Sequence, residues 1–201
     1  MIHPVHLLGS PVLREATPDV TSDSPELQQL IDDMVETMHA ARGIGLAAPQ
    51  IGHGVRLFVV DVSSMEEDFE ETGASMPEQP MVFLNAHIVE DSDEETDFEE
   101  GCLSIPDIHE TVVRPEQVRI QYLDRSFAKR DETFDGVLAR VIQHEYDHIE
   151  GVLFIDHLSA LRRRLLKRRL ADIREGNVTA DYALYAEGVG VIDADPESAD
   201  D

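Results

Sequence analysis

The chain is short of cations and of sulfur. It has one cysteine, Cys102, two lysines, Lys129 and Lys167, and 16 basic residues in all against 42 acidic ones. A single cysteine excludes an intrachain disulfide and suits a reducing compartment. A formal net charge of −26 with His neutral excludes a general nucleic-acid binder, because phosphate contacts need clustered Lys and Arg. An anionic membrane surface would repel such a chain as well. No apolar run approaches the roughly 20 residues of a spanning helix. Met1 to Ser10 carries no Lys or Arg and no signal-peptide pattern. The expectation is a cytoplasmic protein with no membrane contact. Its 201 residues, 42% of them hydrophobic, are enough to bury a core without staples. No internal repeat or Gly/Ser linker divides them.

What is present sorts into three helices and several strands. Ser24-Pro25-Glu26 reads as a cap, a first helical position and an acid at the positive end of the dipole. Leu27, Leu30, Ile31, Met34 and Met38 follow at helical spacing, and Gly43 reads as the stop. A loop from Gly43 to Gly54 leads to a predicted strand over Val55–Val62, with further strands over Met81–Val89 and Val118–Leu123. Two acidic stretches, Glu66–Glu78 and Glu90–Glu100, read as solvated loops, and neither has the ligand spacing of a calcium loop. A second helix is predicted from Gly136 to Glu150. Val137, Val141, His144 and His148 share one stripe, Leu138, Ile142, Glu145 and Ile149 the next, and Arg140, Gln143, Asp147 and Glu150 form the polar face. Two His and a Glu thus fall where apolar neighbours predict burial. A third helix opens at Ser159 and ends near Gly176. Leu161–Arg174 holds seven basic residues and one acid, a local charge of +6, which suggests either a docking surface or a face paired with the acidic remainder. The segment after Asn177 has few large apolar residues at regular spacing and is expected to be flexible.

Three local patterns carry chemistry. His144-Glu145-Tyr146-Asp147-His148 is H-E-x-x-H on a predicted helix: His at i and i+4 project from one face and can grip one ion, with the Glu beside its water. An isolated match also fits two core histidines, although buried imidazoles and a carboxylate need polar partners, which a metal supplies. A third ligand is needed. His157 lies nine residues downstream of His148, but the Gly and His of the longer protease pattern are not at their places. Upstream, Cys102 offers a soft thiolate beside Gly101, which permits close backbone approach. A Cys/His/His set leaves a fourth position open, the catalytic arrangement. Finally, Gly43-Ile44-Gly45-Leu46-Ala47-Ala48-Pro49-Gln50 has two glycines and no Lys-Ser/Thr, so it is not a phosphate loop.

Together, Gly43 to Gln50, Glu100-Gly101-Cys102-Leu103-Ser104, and Gln143-His144-Glu145-Tyr146-Asp147-His148 resemble the three signatures of the peptide deformylases, in order and at every fixed position. The resemblance runs over about residues 5 to 172. It implies an α+β fold in which antiparallel sheets surround a central helix carrying H-E-x-x-H, with a C-terminal helix beyond. It implies a single catalytic domain over 1–176, leaving 177–201 as an acidic tail.

The implied activity is removal of the formyl group from the N-terminal formylmethionine of nascent chains, a metal-activated hydroxide attacking and formate leaving. Carried over residue by residue, Cys102, His144 and His148 would hold one divalent ion, Fe²⁺ by resemblance, with Zn²⁺, Ni²⁺ or Co²⁺ able to substitute. Glu145 would be general base and then acid. The Gln50 amide and the Leu103 N–H would form the oxyanion hole. Gly45 and the loop around Ile44 would hold the peptide, and Ile44, Val137 and Val141 the methionine side chain. His109 and Arg42 receive no role. The basic helix would dock at the ribosome. The rival readings are an H-E-x-x-H metallopeptidase and a non-catalytic metal-binding relative; a complete ligand set with Glu145 in place speaks against the second. The excess of acids predicts a salt-adapted protein, because self-repulsion destabilises a fold until salt screens it.

Overall fold

The computed structural model describes residues 1–66, 69 and 76–197. The expectation for Glu66–Glu78 falls largely on residues outside that set. Helix α1 spans Pro25–Ala40, and the Ser24 side chain accepts from the Leu27 N–H, as the cap predicts. Gly43 is not the left-handed stop: Arg42 takes that conformation at φ +52°, while the Gly43 N–H closes the helix on the Met38 carbonyl.

Strands β1 (Val5–His6), β2 (Gly45–Ala47), β3 (Leu57–Val60) and β4 (Met81–Asp91) precede the hairpin of β5 (Glu95–Cys102) and β6 (Ile105–Pro115). Next come β7 (Gln117–Leu123) and β8 (Lys129–Asp135), then α2 (Gly136–Ile149) and α3 (Ala160–Arg174). Strands β9 (Leu184–Ala186) and β10 (Gly190–Ile192) are the last strands of the described chain. A five-stranded sheet runs β2-β3-β4-β7-β8, antiparallel at each pairing. Its two faces are read off β3, whose side chains alternate. Leu57 and Val59 join Leu27, Ile31, Met34 and Met38 of α1, whereas Phe58 and Val60 join Leu138, Ala139, Ile142 and Ile149 of α2. The sheet is thereby buried on both faces, which explains the continuous apolar run of β3. The opposite side of α2 meets the β5–β6 hairpin: Arg140 bonds the Thr96 and Val112 carbonyls, and Gln143 the Pro115 carbonyl. The α+β architecture with a central helix is as expected.

Three expectations fail. The acidic stretch Glu90–Glu100 is not a loop: it closes β4 and forms most of β5, with Glu95 to Glu100 paired in register with Pro115 to Glu110. The helix face of Arg140 and Gln143, polar in sequence, is buried rather than solvated. The segment after Gly176 is not a free tail over its first part either. Strand β9 pairs in parallel with β1, Val5 opposite Leu184, and β10 adds antiparallel to β9. Leu184 and Ala186 are buried with Val5, Leu7, Ile105, Leu170 and Ile173, so the packed unit runs through Ile192 rather than stopping at 176. The segment is short and its apolar residues are few, which hides the pattern, but a docked terminus needs only a partner strand. Residues 198–201 lie outside the described set.

Candidate metal centre and active-site cleft

The helical repeat of α2 sets His144 and His148 one turn apart on one face, and the turn between β5 and β6 delivers Cys102 to the same point. Their ligand atoms all lie within 4.8 Å of one another, with Cys102 Sγ 3.3 Å from His148 Nε2. The His144 Nδ1 faces Glu100 Oε2 at 2.9 Å. A proton held there leaves Nε2 as a free donor, the usual way in which an outer carboxylate fixes a ligating imidazole. The four buried side-chain polar atoms without a partner among the described residues include Glu145 Oε2 and His148 Nδ1, both at this centre. A cysteine sulfur and two imidazoles converge on one spot, and the unsatisfied Glu145 carboxyl lines the same cleft. This set fits a divalent ion with a position left for a small ligand.

Two buried carboxylates flank His144 and are treated oppositely. Glu100 receives Arg114 Nε at 2.7 Å and Nη2 at 3.0 Å, Arg140 Nη1 at 3.1 Å and His144. Burial works to raise its pKa, but hydrogen bonds from His144 and Arg114 hold the carboxyl well below the usual range. For Glu145 burial wins, pushing its carboxyl up to about 7 against the opposing pull of His144. His148 is held well below its ordinary value, chiefly by burial. His157 stands away from the centre: its Nε2 lies 2.7 Å from Asp147 Oδ2, which also receives Arg114.

The loop of two glycines is shaped by what it touches. A Cβ on Gly43 would stand 2.9 Å from Leu103 Cδ1, and one on Gly45 would stand 2.8 Å from Glu145 Cδ. Both positions therefore exclude a side chain so that β2 can press against the Cys102–Leu103 turn and the α2 carboxylate. At the loop's end the Gln50 Oε1 accepts from the Ala47 N–H at 2.7 Å, which turns its Nε2 toward Cys102 Sγ at 3.6 Å and Ser104 Oγ at 3.4 Å. A cleft of about 460 Å³ opens here, lined by Ile44, Gly45, Gln50, Cys102, Leu103, Val137, Val141, His144 and Glu145.

A family model described as polypeptide deformylase matches residues 2–164. A peptide deformylase of Salinibacter ruber is 51% identical over 187 residues, covering 93% of this chain and 96% of that protein. The chain belongs to the peptide deformylase family. A relative from Christiangramia forsetii, also named peptide deformylase, is 45% identical over 92% of this chain and 95% of its own. A peptide deformylase structure from Legionella pneumophila superposes with a TM-score of 0.76 at 39% identity, over 88% of this chain and 98% of that one. One from Synechococcus elongatus, in complex with actinonin, does so at 0.71 and 36% identity, over 87% and 85%.

The deformylase signatures thus meet in space as well as in order. Every residue expected at the site lines the cleft except His148, whose Nε2 lies 3.3 Å from Cys102 Sγ. Sequence reasoning left out others that line it: Arg42, His109 and the segment 179–182. His109 covers Gly101 so closely that a Cβ there would meet its Nε2 at 2.7 Å. The glycine beside Cys102 was the available signal. For 179–182 the signal was weaker, Tyr182 and Leu184 in an otherwise small and acidic segment.

Proposed function

We propose that Cys102, His144 and His148 hold one divalent ion and that Glu145, Gln50 and Leu103 hydrolyse the formyl group from the N-terminal formylmethionine of nascent chains. The single observation that carries these roles is the buried Glu145 Oε2, unpartnered among the described residues, in a cleft with a three-donor cluster. When bound, the ion supplies Lewis acidity and lowers the pKa of a water toward neutrality. Soft thiolate and imidazole donors suit Fe²⁺, Zn²⁺, Ni²⁺ and Co²⁺ alike; we assign Fe²⁺ on the family likeness.

Glu145 takes the proton of the attacking water and returns it to the leaving amine. The Gln50 Nε2–H and the Leu103 N–H donate to the oxygen of the formyl carbonyl as negative charge grows on it. Gln50 is suited to this because Ala47 already holds the other end of its amide. Gly45 leaves room for an extended peptide backbone, and Ile44, Val137 and Val141 receive the methionine side chain. Glu100 keeps His144 in the ligating tautomer. His157, engaged by Asp147, is no third ligand, which disfavours a metallopeptidase of the longer pattern.

Such substrates place the enzyme in the cytoplasm, and among the described residues no helix is long and apolar enough to cross a membrane. Helix α3 is the surface we assign to ribosome docking. Arg162 is spent on Glu110 and Arg169 on the Asp107 carbonyl, but Arg163, Arg164, Lys167 and Arg168 are exposed beside Leu161 and Leu165, which are 68% and 66% exposed. Reversing Arg163, Arg164 and Arg168 should abolish co-sedimentation with ribosomes; survival of co-sedimentation would sink the docking role.

The deciding assay is formate release from a formyl-Met tripeptide by protein loaded with Fe²⁺ or Ni²⁺ without oxygen, beside Glu145→Gln. Release by the wild type alone is expected. No release with metal bound would overturn the reaction.

A further inference from the structure

The turn that carries Cys102 and Leu103 is held from outside by a segment that lies beyond the basic helix. Tyr182 Oη donates to the Leu103 carbonyl at 2.9 Å. The neighbouring carbonyl, that of Ser104, receives the Leu8 N–H at 2.9 Å. Tyr182 is itself anchored on both sides. Downstream, Val5 N–H donates to the Ala183 carbonyl and Leu7 N–H to the Tyr185 carbonyl, each at 2.8 Å, as β9 pairs with β1. Upstream, Asp181 Oδ2 lies 3.4 Å from Arg42 Nε, joining the segment to the opposite wall at the start of the Gly43 loop. Thr179 to Tyr182 thereby form part of the cleft wall.

Fixing the Leu103 carbonyl fixes the peptide plane that follows Leu103, and with it restrains the rotation of the residue whose N–H is assigned above to the oxyanion hole. The Leu103 side chain, packed at Gly43, restrains the same residue from the other side. Burial pushes the Tyr182 phenol up, so it remains a donor at any pH at which the enzyme works.

We propose that Tyr182 is a positioning residue for the oxyanion hole: its hydroxyl clamps the Leu103 carbonyl so that the Leu103 N–H is preset toward the developing charge. This rests on the assignment of Leu103 above. A preset donor acts on the transition state more than on the bound substrate, so its loosening should lower kcat and leave KM nearly unchanged. The segment that looks like a dispensable tail would then be part of the catalytic unit.

The test is Tyr182→Phe in the full-length, metal-loaded enzyme, which keeps the ring and removes only the hydroxyl. Tyr185→Phe is the control, since Tyr185 lies in the same segment but stacks on His6, 4.4 Å between ring centres. Two readouts are taken: formyl-Met tripeptide kinetics, and amide exchange by mass spectrometry over a peptide spanning residues 100–106. One hydrogen bond lost at this position should lower kcat about three- to tenfold with KM changed less than about twofold. Exchange over 100–106 should rise roughly tenfold without a change elsewhere. Tyr185→Phe should alter neither.

Unchanged exchange would show that the hydroxyl does not hold the turn, and would overturn the proposal. Faster exchange with full kcat would overturn it too, and would remove Leu103 from the oxyanion hole. Equal losses in Tyr182→Phe and Tyr185→Phe would assign the effect to general stability of the segment and likewise overturn it. Wild-type formate release, measured in the same series, keeps the reaction itself a separate question.

Discussion

Glu100 on β5 and Glu145 on α2 approach the same imidazole from two walls and meet opposite fates. Glu100 receives two guanidinium groups and His144, and stays ionised in the interior. Glu145 has an oxygen with no partner among the described residues, and burial holds its carboxyl at about 7. A buried carboxylate of the first kind is structure: its hydrogen bonds are satisfied and it orients a neighbour. One of the second kind is costly to keep and is justified by chemistry done elsewhere in the reaction cycle. The difference assigns positioning to one wall and proton transfer to the other.

Removing the unpaired acid should have the largest effect on rate and the smallest on the fold. Glu145→Gln should cost about 10²- to 10⁴-fold in kcat, the usual range for a lost general base. Metal content should be retained and the melting temperature should stay level or rise, since a buried ionisable carboxyl is replaced by a neutral amide of the same shape. More than half of wild-type activity, or loss of the metal, would break the contrast. Gln50→Ala comes next, at roughly 10²-fold in kcat, the typical cost of one oxyanion donor. An unchanged kcat with a raised KM would make Gln50 a binding residue instead.

The paired acid should behave the other way round. Glu100→Gln leaves Arg140 buried without its counter-charge and Arg114 with Asp147 alone, which should cost about 3–5 kcal/mol of stability. Loosening His144 should weaken metal affinity about 10- to 100-fold. Turnover of whatever protein remains loaded should fall far less than in Glu145→Gln. Denaturant melts and metal titration read these effects separately. If Glu100→Gln kept full stability and affinity while losing turnover, the two carboxylates would have exchanged roles.

Why the active site was legible and its outer wall was not follows from the same residues. The three signatures are short and contiguous, and α2 brings His144, Glu145 and His148 together through helix geometry alone, so sequence spacing already implied proximity. The sheet around them was legible where at least one face is apolar, as in β4 and β7, or both are, as in β3. The hairpin was not. Strand β5 reads Glu-Thr-Asp-Phe-Glu-Glu-Gly-Cys, with only Glu100 fully buried among them. On β6 two of the inward positions are Glu110 and Arg114. An alternation whose buried members are charged has no hydrophobic period to detect. Strand β9 is three residues long and pairs with residues at the other end of the chain, so no local pattern announces it.

Salt separates the two kinds of acid once more, with the smallest expected effect. In the same stretch as Glu100, seven acids from Glu90 to Glu99 are exposed, and the whole chain carries a net charge of −26. At about 1 M salt the Debye length is about 3 Å, shorter than the spacing of most surface charges, so their mutual repulsion is largely removed. Buried ion pairs are screened much less. We therefore expect wild-type melting to rise by roughly 5 °C between low salt and molar KCl, about 1–2 kcal/mol for a chain of this size. The deficit of Glu100→Gln should persist across the whole series, because the Arg140 charge it strands and the Arg114 pair it weakens are inside. A flat wild-type curve would reject salt adaptation. A deficit that vanishes with salt would mean that the Glu100 cluster is wet, and would place it with the surface acids rather than with the core.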